Sequence, residues 1–117
     1  MMREAAAREL EIYVTAEGRA PFTEWFDSLR DVRGREKIRT RLNRIRLGNF
    51  GDSTSVGGGV EELRIDFGPG YRVYFGQAGF KVVLILCGGD KSTQTQDILQ
   101  AKSYWKDYQK RSGHASE

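Results

Sequence analysis

The sequence is poor in the residues that build disulfide frameworks and many metal centres. Its 117 residues include one cysteine, Cys87, and one histidine, His114. A single cysteine excludes a disulfide within the chain and a zinc site built from several thiolates. A single histidine, placed in the C-terminal tail, excludes a ribonuclease that uses a histidine pair as acid and base. We expect no metal and no cofactor, and a buried Cys87, because it lies in the apolar run 81–87.

Long hydrophobic runs are also missing. No stretch approaches the ~20 apolar residues that a membrane-spanning helix needs. Acidic residues near the N-terminus occupy the region where a signal peptide would be apolar. Hydrophobic residues make up 38% and charged residues 30% of the chain, as in globular proteins. We therefore expect a cytoplasmic protein with no membrane partner and one domain over 1–117, with a core over about 10–110 and a flexible tail over about 111–117.

Positive charge is concentrated in one part of the chain. The net charge is +3, but residues 30–59 contain eight basic and three acidic side chains, whereas residues 1–29 contain three basic and six acidic ones. A concentrated positive field is typical of proteins that bind nucleic acid or acidic partners. Solvated helix faces can have the same composition, so this feature alone does not decide the function.

The first half of the chain is predicted to contain one strand followed by two helices. Residues 9–15 alternate apolar and polar side chains, which predicts a half-buried strand. Pro21 begins a helix, and a second helix is predicted from about Gly34 to Leu47, with Gly48 as its C-terminal cap. The segment 48–59 contains five glycines and is predicted to be a loop.

Three strands and a last helix follow. The strands are predicted over about 60–67, 71–76 and 80–87, and a capping box at Thr93 and Gln96 begins the helix. The order β-α-α-β-β-β-α predicts an α+β fold, with a mostly antiparallel four-stranded sheet, an N-terminal helical hairpin on one face and a C-terminal helix. We expect the other face of the sheet to be at least partly open.

Strand alternation groups several side chains that suit phosphate chemistry. Arg64 lies on the polar side of its strand, and Arg72 and Tyr74 lie on the polar side of the next strand, with Lys91 just past the last one. Guanidinium groups match phosphate oxygens in a bidentate manner and stabilise charge in a phosphorane transition state. The proton-transfer group must then be a tyrosine, a lysine or a carboxylate. In the alternative interpretation, the two arginines only pair with Asp66 or Glu62 across the strands.

The second predicted helix carries basic side chains on both sides of its buried stripe. Arg35, Arg39 and Arg46 flank the stripe on one side, and Lys37 and Arg44 flank it on the other. These five residues are the candidate RNA-binding set. Both flanks would be solvated whatever the function.

Three runs in the second half of the chain resemble a known superfamily. They are Glu-Leu-Arg-Ile at 62–65, Gly-Pro-Gly-Tyr-Arg-Val-Tyr at 68–74 and Gly-Gly-Asp-Lys-Ser at 88–92. Together they resemble the RelE/ParE superfamily of toxins, and within it the HigB-like, phage-derived branch called addiction module killer proteins. The similarity covers about residues 10–110.

This resemblance implies a function, a partner and roles for the site residues. It implies a type II toxin that cleaves mRNA on the ribosome without a metal and is held inactive by an antitoxin, often a helix-turn-helix protein. It also implies that Arg64 and Arg72 bind the scissile phosphate and that Lys91 stabilises charge. Relatives carry a tyrosine or histidine near the C-terminal end, but residues 92–97 contain neither. Tyr74, which shares a strand face with Arg64 and Arg72, is the predicted proton-transfer group in their place; weak cleavage activity is the alternative.

Two other functions remain open. The ParE-like branch shares the fold but inhibits DNA gyrase and cleaves no RNA. A third interpretation is a non-toxic basic domain that binds RNA or protein through its second helix.

Overall fold

The computed structural model describes residues 7–113, which form a five-stranded sheet with helices on both faces. The elements are β1 (Glu9–Ile12), α1 (Pro21–Ser28), α2 (Val32–Arg46), β2 (Ser53–Gly57), β3 (Val60–Ile65), β4 (Tyr71–Ala78), β5 (Val82–Asp90) and α3 (Gln94–Ser112). A 3₁₀ turn over Lys91–Thr93 connects β5 to α3. The strand order is β1-β5-β4-β3-β2; β1 is parallel to β5, and all other neighbouring strands are antiparallel.

The predicted four-stranded, mostly antiparallel sheet is wrong in strand number and order. The segment predicted to be a glycine-rich loop contains β2, which pairs with β3 at one edge of the sheet. Its side chains are mostly polar and exposed, so no hydrophobic alternation reveals the strand. At the other edge, Glu9 of β1 lies opposite Val82 of β5, a parallel pairing between distant segments. The observed fold is α+β with a mixed sheet and the order β-α-α-β-β-β-β-α.

The predicted alternation within β3 and β4 is confirmed. One face of these strands packs against α1 and α2, and its buried side chains are Leu63, Ile65, Tyr71, Val73 and Phe75. Ile38 and Ile45 of α2 are fully buried against them. Burial of these apolar side chains is the main stabilising contribution on this face. β5 lies between β1 and β4, and side chains on both of its faces are buried.

The second face of the sheet is covered by α3, contrary to the expectation of an at least partly open face. Ala101 and Trp105 of α3 pack on Val60 and Tyr74. Gly76 makes this approach possible, because a Cβ atom there would overlap the Trp105 ring. Strand alternation had shown which side chains share this face, but it carries no information on which helix covers them.

The connection from β5 to α3 is fixed by a capping box, one turn earlier than predicted. The Asp90 carboxylate accepts hydrogen bonds from the Ser92 amide at 2.8 Å and the Ser92 hydroxyl at 2.6 Å. The Asp90 amide in turn donates to the Thr93 hydroxyl at 3.3 Å. These bonds hold the backbone of Lys91, the first residue of the turn, in a defined place.

No helix in residues 7–113 combines the length and apolar character needed to cross a bilayer. Cys87 is 7% exposed, so its predicted burial is confirmed. The predicted tail over 111–117 lies partly in α3, which continues to Ser112, and residues 114–117, His114 among them, lie outside the described residues.

Candidate functional site

The β3–β4 turn brings two of the predicted cationic residues together. Arg72, at the start of β4, lies directly opposite Arg64 of β3 in the strand register. Gly70, with a φ of +82°, ends the turn. A Cβ atom at this glycine would lie 2.6 Å from Lys91 Cδ and 3.4 Å from Arg72 Nη1. Lys91 and Arg72 therefore flank the same glycine, although they belong to two separate sequence runs, 68–74 and 88–92.

Arg72 is held by backbone oxygens on one side of its guanidinium and by a carboxylate on the other. Its Nη1 donates to the Gly70 carbonyl at 3.1 Å and the Tyr71 carbonyl at 3.2 Å. Its Nε lies 3.9 Å from Glu62 Oε1, an ion pair that is too long for a hydrogen bond. The side chains are 11% and 2% exposed, so the charges attract each other in a poorly solvated site.

Glu62 is the centre of a buried polar cluster. Its Oε2 accepts a hydrogen bond from the Tyr74 hydroxyl at 3.0 Å and one from Gln94 Nε2 at 2.7 Å. Glu62 lies in β3, and both Tyr74 and Arg72 lie in β4. Gln94 is the first residue of α3. One carboxylate thus joins three elements, which satisfies the requirement that a buried charge be paired and hydrogen-bonded.

The position of Tyr74 does not support the predicted proton-transfer role. Its side chain is fully buried beneath α3, and its hydroxyl is occupied by Glu62. Burial, and then this hydrogen bond, raise the pKa of the phenol far above its usual range. A proton-transfer group must reach the substrate, and an enclosed neutral phenol has no such access.

Arg64 has a different partner from either one considered in the sequence. Its Nη2 lies 3.0 Å from Asp52 Oδ1, in the segment before β2. The two side chains are 41% and 57% exposed, so this pair contributes little to stability. By contrast, Arg72 lies beside Glu62, which is one of the pairs considered in the alternative interpretation. Arg64 is partly exposed and hydrogen-bonded to Asp52, whereas Arg72 is largely enclosed.

The basic side chains of α2 are divided between two flanks, as the helical spacing predicted. On one flank, Arg35 Nη1 donates to the Leu29 carbonyl and Arg39 lies over the Phe26 ring, 5.1 Å from its centroid. Both side chains therefore contact the helical hairpin. Arg46 is exposed at the end of the helix.

The other flank of α2 borders an open groove beside the β3–β4 turn. Lys37 lies over the Phe67 ring at 5.4 Å. The groove is lined by Lys37, Thr40, Arg41, Arg44, Ile65, Asp66 and Phe67. Lys37 and Arg44, from the candidate RNA-binding set, thus share a surface that extends towards the turn before Arg72.

Side chains that could bind a metal ion are not clustered in the part of the chain that is described. Residues 7–113 contain no group of three or more histidine, cysteine, aspartate and glutamate side chains placed to hold a metal ion.

Two residues of the site were not singled out as functional by the sequence patterns. Glu62 was grouped with Arg64 by alternation, but its burial depends on α3. Gln94 carries no sequence pattern of its own in the segment after Lys91. Their juxtaposition arises from the packing of a helix on a sheet and has no signature within either segment.

Comparison with known proteins gives a relative but no activity. An uncharacterized protein of Haemophilus influenzae is 52% identical over 81 residues, which span 69% of this chain and 82% of that protein. The chain belongs to the same family as this protein. No protein-family model matches the sequence.

Proposed function

We propose that the chain is a cytoplasmic toxin of a type II toxin–antitoxin pair, similar to RelE/ParE-type toxins, and that it cleaves mRNA on the ribosome without a metal. The observation that carries the proposal is the meeting of Arg72 and Lys91 across Gly70. These two cations lie at one turn, and Arg64 of β3 lies opposite Arg72 of β4 in the strand pairing. Together they would provide positive charge for a scissile phosphate.

The surface around this turn supports RNA as the ligand. The groove along Lys37 and Arg44 leads to the β3–β4 turn and would follow a phosphodiester backbone. The same exposed flank of α2 is the surface that we propose for a helix-turn-helix antitoxin, because the second face of the sheet is already covered by α3. An acidic antitoxin segment there would block access to the turn.

Replacement of Lys91 by alanine is the most direct test. Lys91 is exposed, so the variant should fold, whereas Arg72→Ala would leave Glu62 buried without its counter-charge at a cost of roughly 3–5 kcal/mol. We expect induction of the wild-type protein to stop growth and primer extension to show cuts within codons. Loss of one preorganised charge should lower cleavage by roughly 10²–10³-fold.

The matched control is Lys81→Ala. Lys81 is also an exposed lysine, and it precedes β5 at the end opposite Lys91. We expect this variant to remain as toxic as the wild type, and Lys91→Arg to keep part of the activity. A folded Lys91→Ala protein with wild-type toxicity would refute the proposed role of the turn.

A second candidate, inhibition of DNA gyrase without cleavage, is favoured by one observation. The Tyr74 hydroxyl is enclosed by Glu62 and α3, so the site as folded has cations but lacks its predicted acid–base group. This function predicts supercoiling defects and DNA damage with intact mRNA. Harmless overexpression combined with salt-sensitive RNA binding would instead indicate a non-toxic binding domain.

A further inference from the structure

The buried carboxylate of Glu62 is unusual among the acidic residues of the described chain. It is 1% exposed, while the neighbouring Glu61 is only partly buried, faces the other side of β3 and accepts a hydrogen bond from Gln77 at 2.7 Å. Removing a carboxylate from water costs several kcal/mol, which its ion pair and hydrogen bonds must offset. Hydrophobic packing under α3 would be served as well by an apolar side chain of similar volume.

The contacts of Glu62 define where the Arg72 guanidinium can lie. Tyr74 and Gln94 hold Oε2, so the carboxylate cannot rotate freely, and Oε1 faces Arg72 Nε at 3.9 Å. The Nε of Arg72 has no hydrogen-bond acceptor among the described residues. The ion pair is therefore the interaction that retains this end of the guanidinium, while the Gly70 and Tyr71 carbonyls retain Nη1.

The geometry points to Glu62 as a positioning residue that sets the orientation of Arg72 for a phosphate ligand. This inference rests on the proposed function and deepens it, since the carboxylate touches no substrate and acts only through Arg72. Guanidinium recognition of phosphate depends on the direction of its N–H groups. Small misplacements of such a group can lower the rate by about 100-fold.

Glu62→Gln is the decisive variant. The glutamine side chain has the same shape, and its amide oxygen can accept the hydrogen bonds from Tyr74 and Gln94, but the charge that attracts Arg72 is lost. Glu61→Gln is the matched control on the adjacent position of the same strand. Urea denaturation of each purified variant establishes that it folds.

The first measurement is independent of activity. The Arg72 Nε–H signal in a ¹H–¹⁵N spectrum is assigned by its disappearance in Arg72→Lys. We expect its hydrogen-exchange rate to rise at least about tenfold in Glu62→Gln and to stay unchanged in Glu61→Gln. An unchanged rate in Glu62→Gln would overturn the inference, whether or not the protein is a toxin.

The second measurement is mRNA cleavage after induction. In the otherwise wild-type protein, Glu62→Gln should lower mRNA cleavage roughly 10- to 100-fold. In a protein that already carries Arg72→Lys, the same change should lower cleavage by less than about twofold. An equal loss in both backgrounds would show a general structural effect and refute action through Arg72. If the wild-type protein cleaves no mRNA, the proposed function fails, and the exchange measurement alone then decides the positioning role.

Discussion

Alanine at Gly70 should damage the candidate site more than it damages the fold, and Gly79 provides a control with the same backbone strain. Both glycines have positive φ, +82° and +69°, and they lie in the turns before and after β4. A residue with a Cβ atom in this conformation costs about 1–2 kcal/mol. Restriction of the unfolded chain offsets about 0.4–1 kcal/mol of that cost. Gly79→Ala, which has open space around it, should therefore lose about 1 kcal/mol of unfolding free energy.

Gly70→Ala carries an additional steric term. Its Cβ atom would lie 2.6 Å from Lys91 Cδ and 2.8 Å from Lys91 Cγ, so the lysine side chain must move. Displacement of a flexible side chain from its rotamer costs about 0.5–1.5 kcal/mol. The two variants should therefore differ by only about 1 kcal/mol in urea denaturation, because the rest of each turn is unaffected.

Their effects on growth should differ far more. Gly70→Ala displaces Lys91 and crowds Arg72 Nη1, so we expect at least about a tenfold loss of toxic activity. Gly79→Ala should remain toxic at temperatures where it is folded. The reasoning would be refuted if both variants were folded and equally toxic, because the meeting of Arg72 and Lys91 at Gly70 would then be irrelevant to function.

Two further predictions concern the tyrosines and the cysteine. Burial and the hydrogen bonds to Asp31 and Asp107 raise the pKa of Tyr71 and of Tyr13 to about 12. The neutral phenols are thus favoured in the folded state; their contribution to stability is complete below about pH 10 and is lost towards about pH 12. The midpoint of urea denaturation should therefore fall between about pH 10 and pH 12, and it should fall less in Tyr71→Phe. A midpoint that does not change with pH over this range would contradict the raised tyrosine pKa values. Burial, with a smaller effect of Asp97, raises the pKa of the Cys87 thiol to about 12, so a thiol reagent at neutral pH should label it only as the protein unfolds. Labelling that is equally fast with and without urea would show that Cys87 is accessible.

The sequence predicted local structure well where a segment carries its own pattern. Alternation in β3 and β4 placed Arg64 and Arg72 on one side of the sheet, and Leu63 and Val73 are buried in the core on the opposite side. It failed for β2, whose polar residues form a strand only because β3 offers a free edge. Pairing with a neighbour, rather than the side chains themselves, makes this segment a strand.

The cationic residues of the candidate site were predictable from the sequence, whereas Glu62, Gln94 and the depth at which Tyr74 lies were not. Alternation and spacing placed Arg72 and Lys91 near one another without information on α3. Whether Glu62 and Tyr74 are solvated depends on where Trp105 packs, and that contact joins residues far apart in the sequence. The same helix therefore turns a predicted exposed tyrosine into a buried hydrogen-bond donor.

The parallel pairing of β1 with β5 has a consequence for the order of assembly. Glu9 pairs with Val82, so β1 has no partner in this sheet until β5 has been synthesised. Contacts of such long sequence separation form late, because a large loop must close before they contribute stability. The helical hairpin and strands β2–β5 can assemble through short connections, whereas the sheet is completed only when β1 pairs with β5. A nascent chain would thus expose the unpaired edge of β5 to other strands, and this edge is where misassembly during translation should begin.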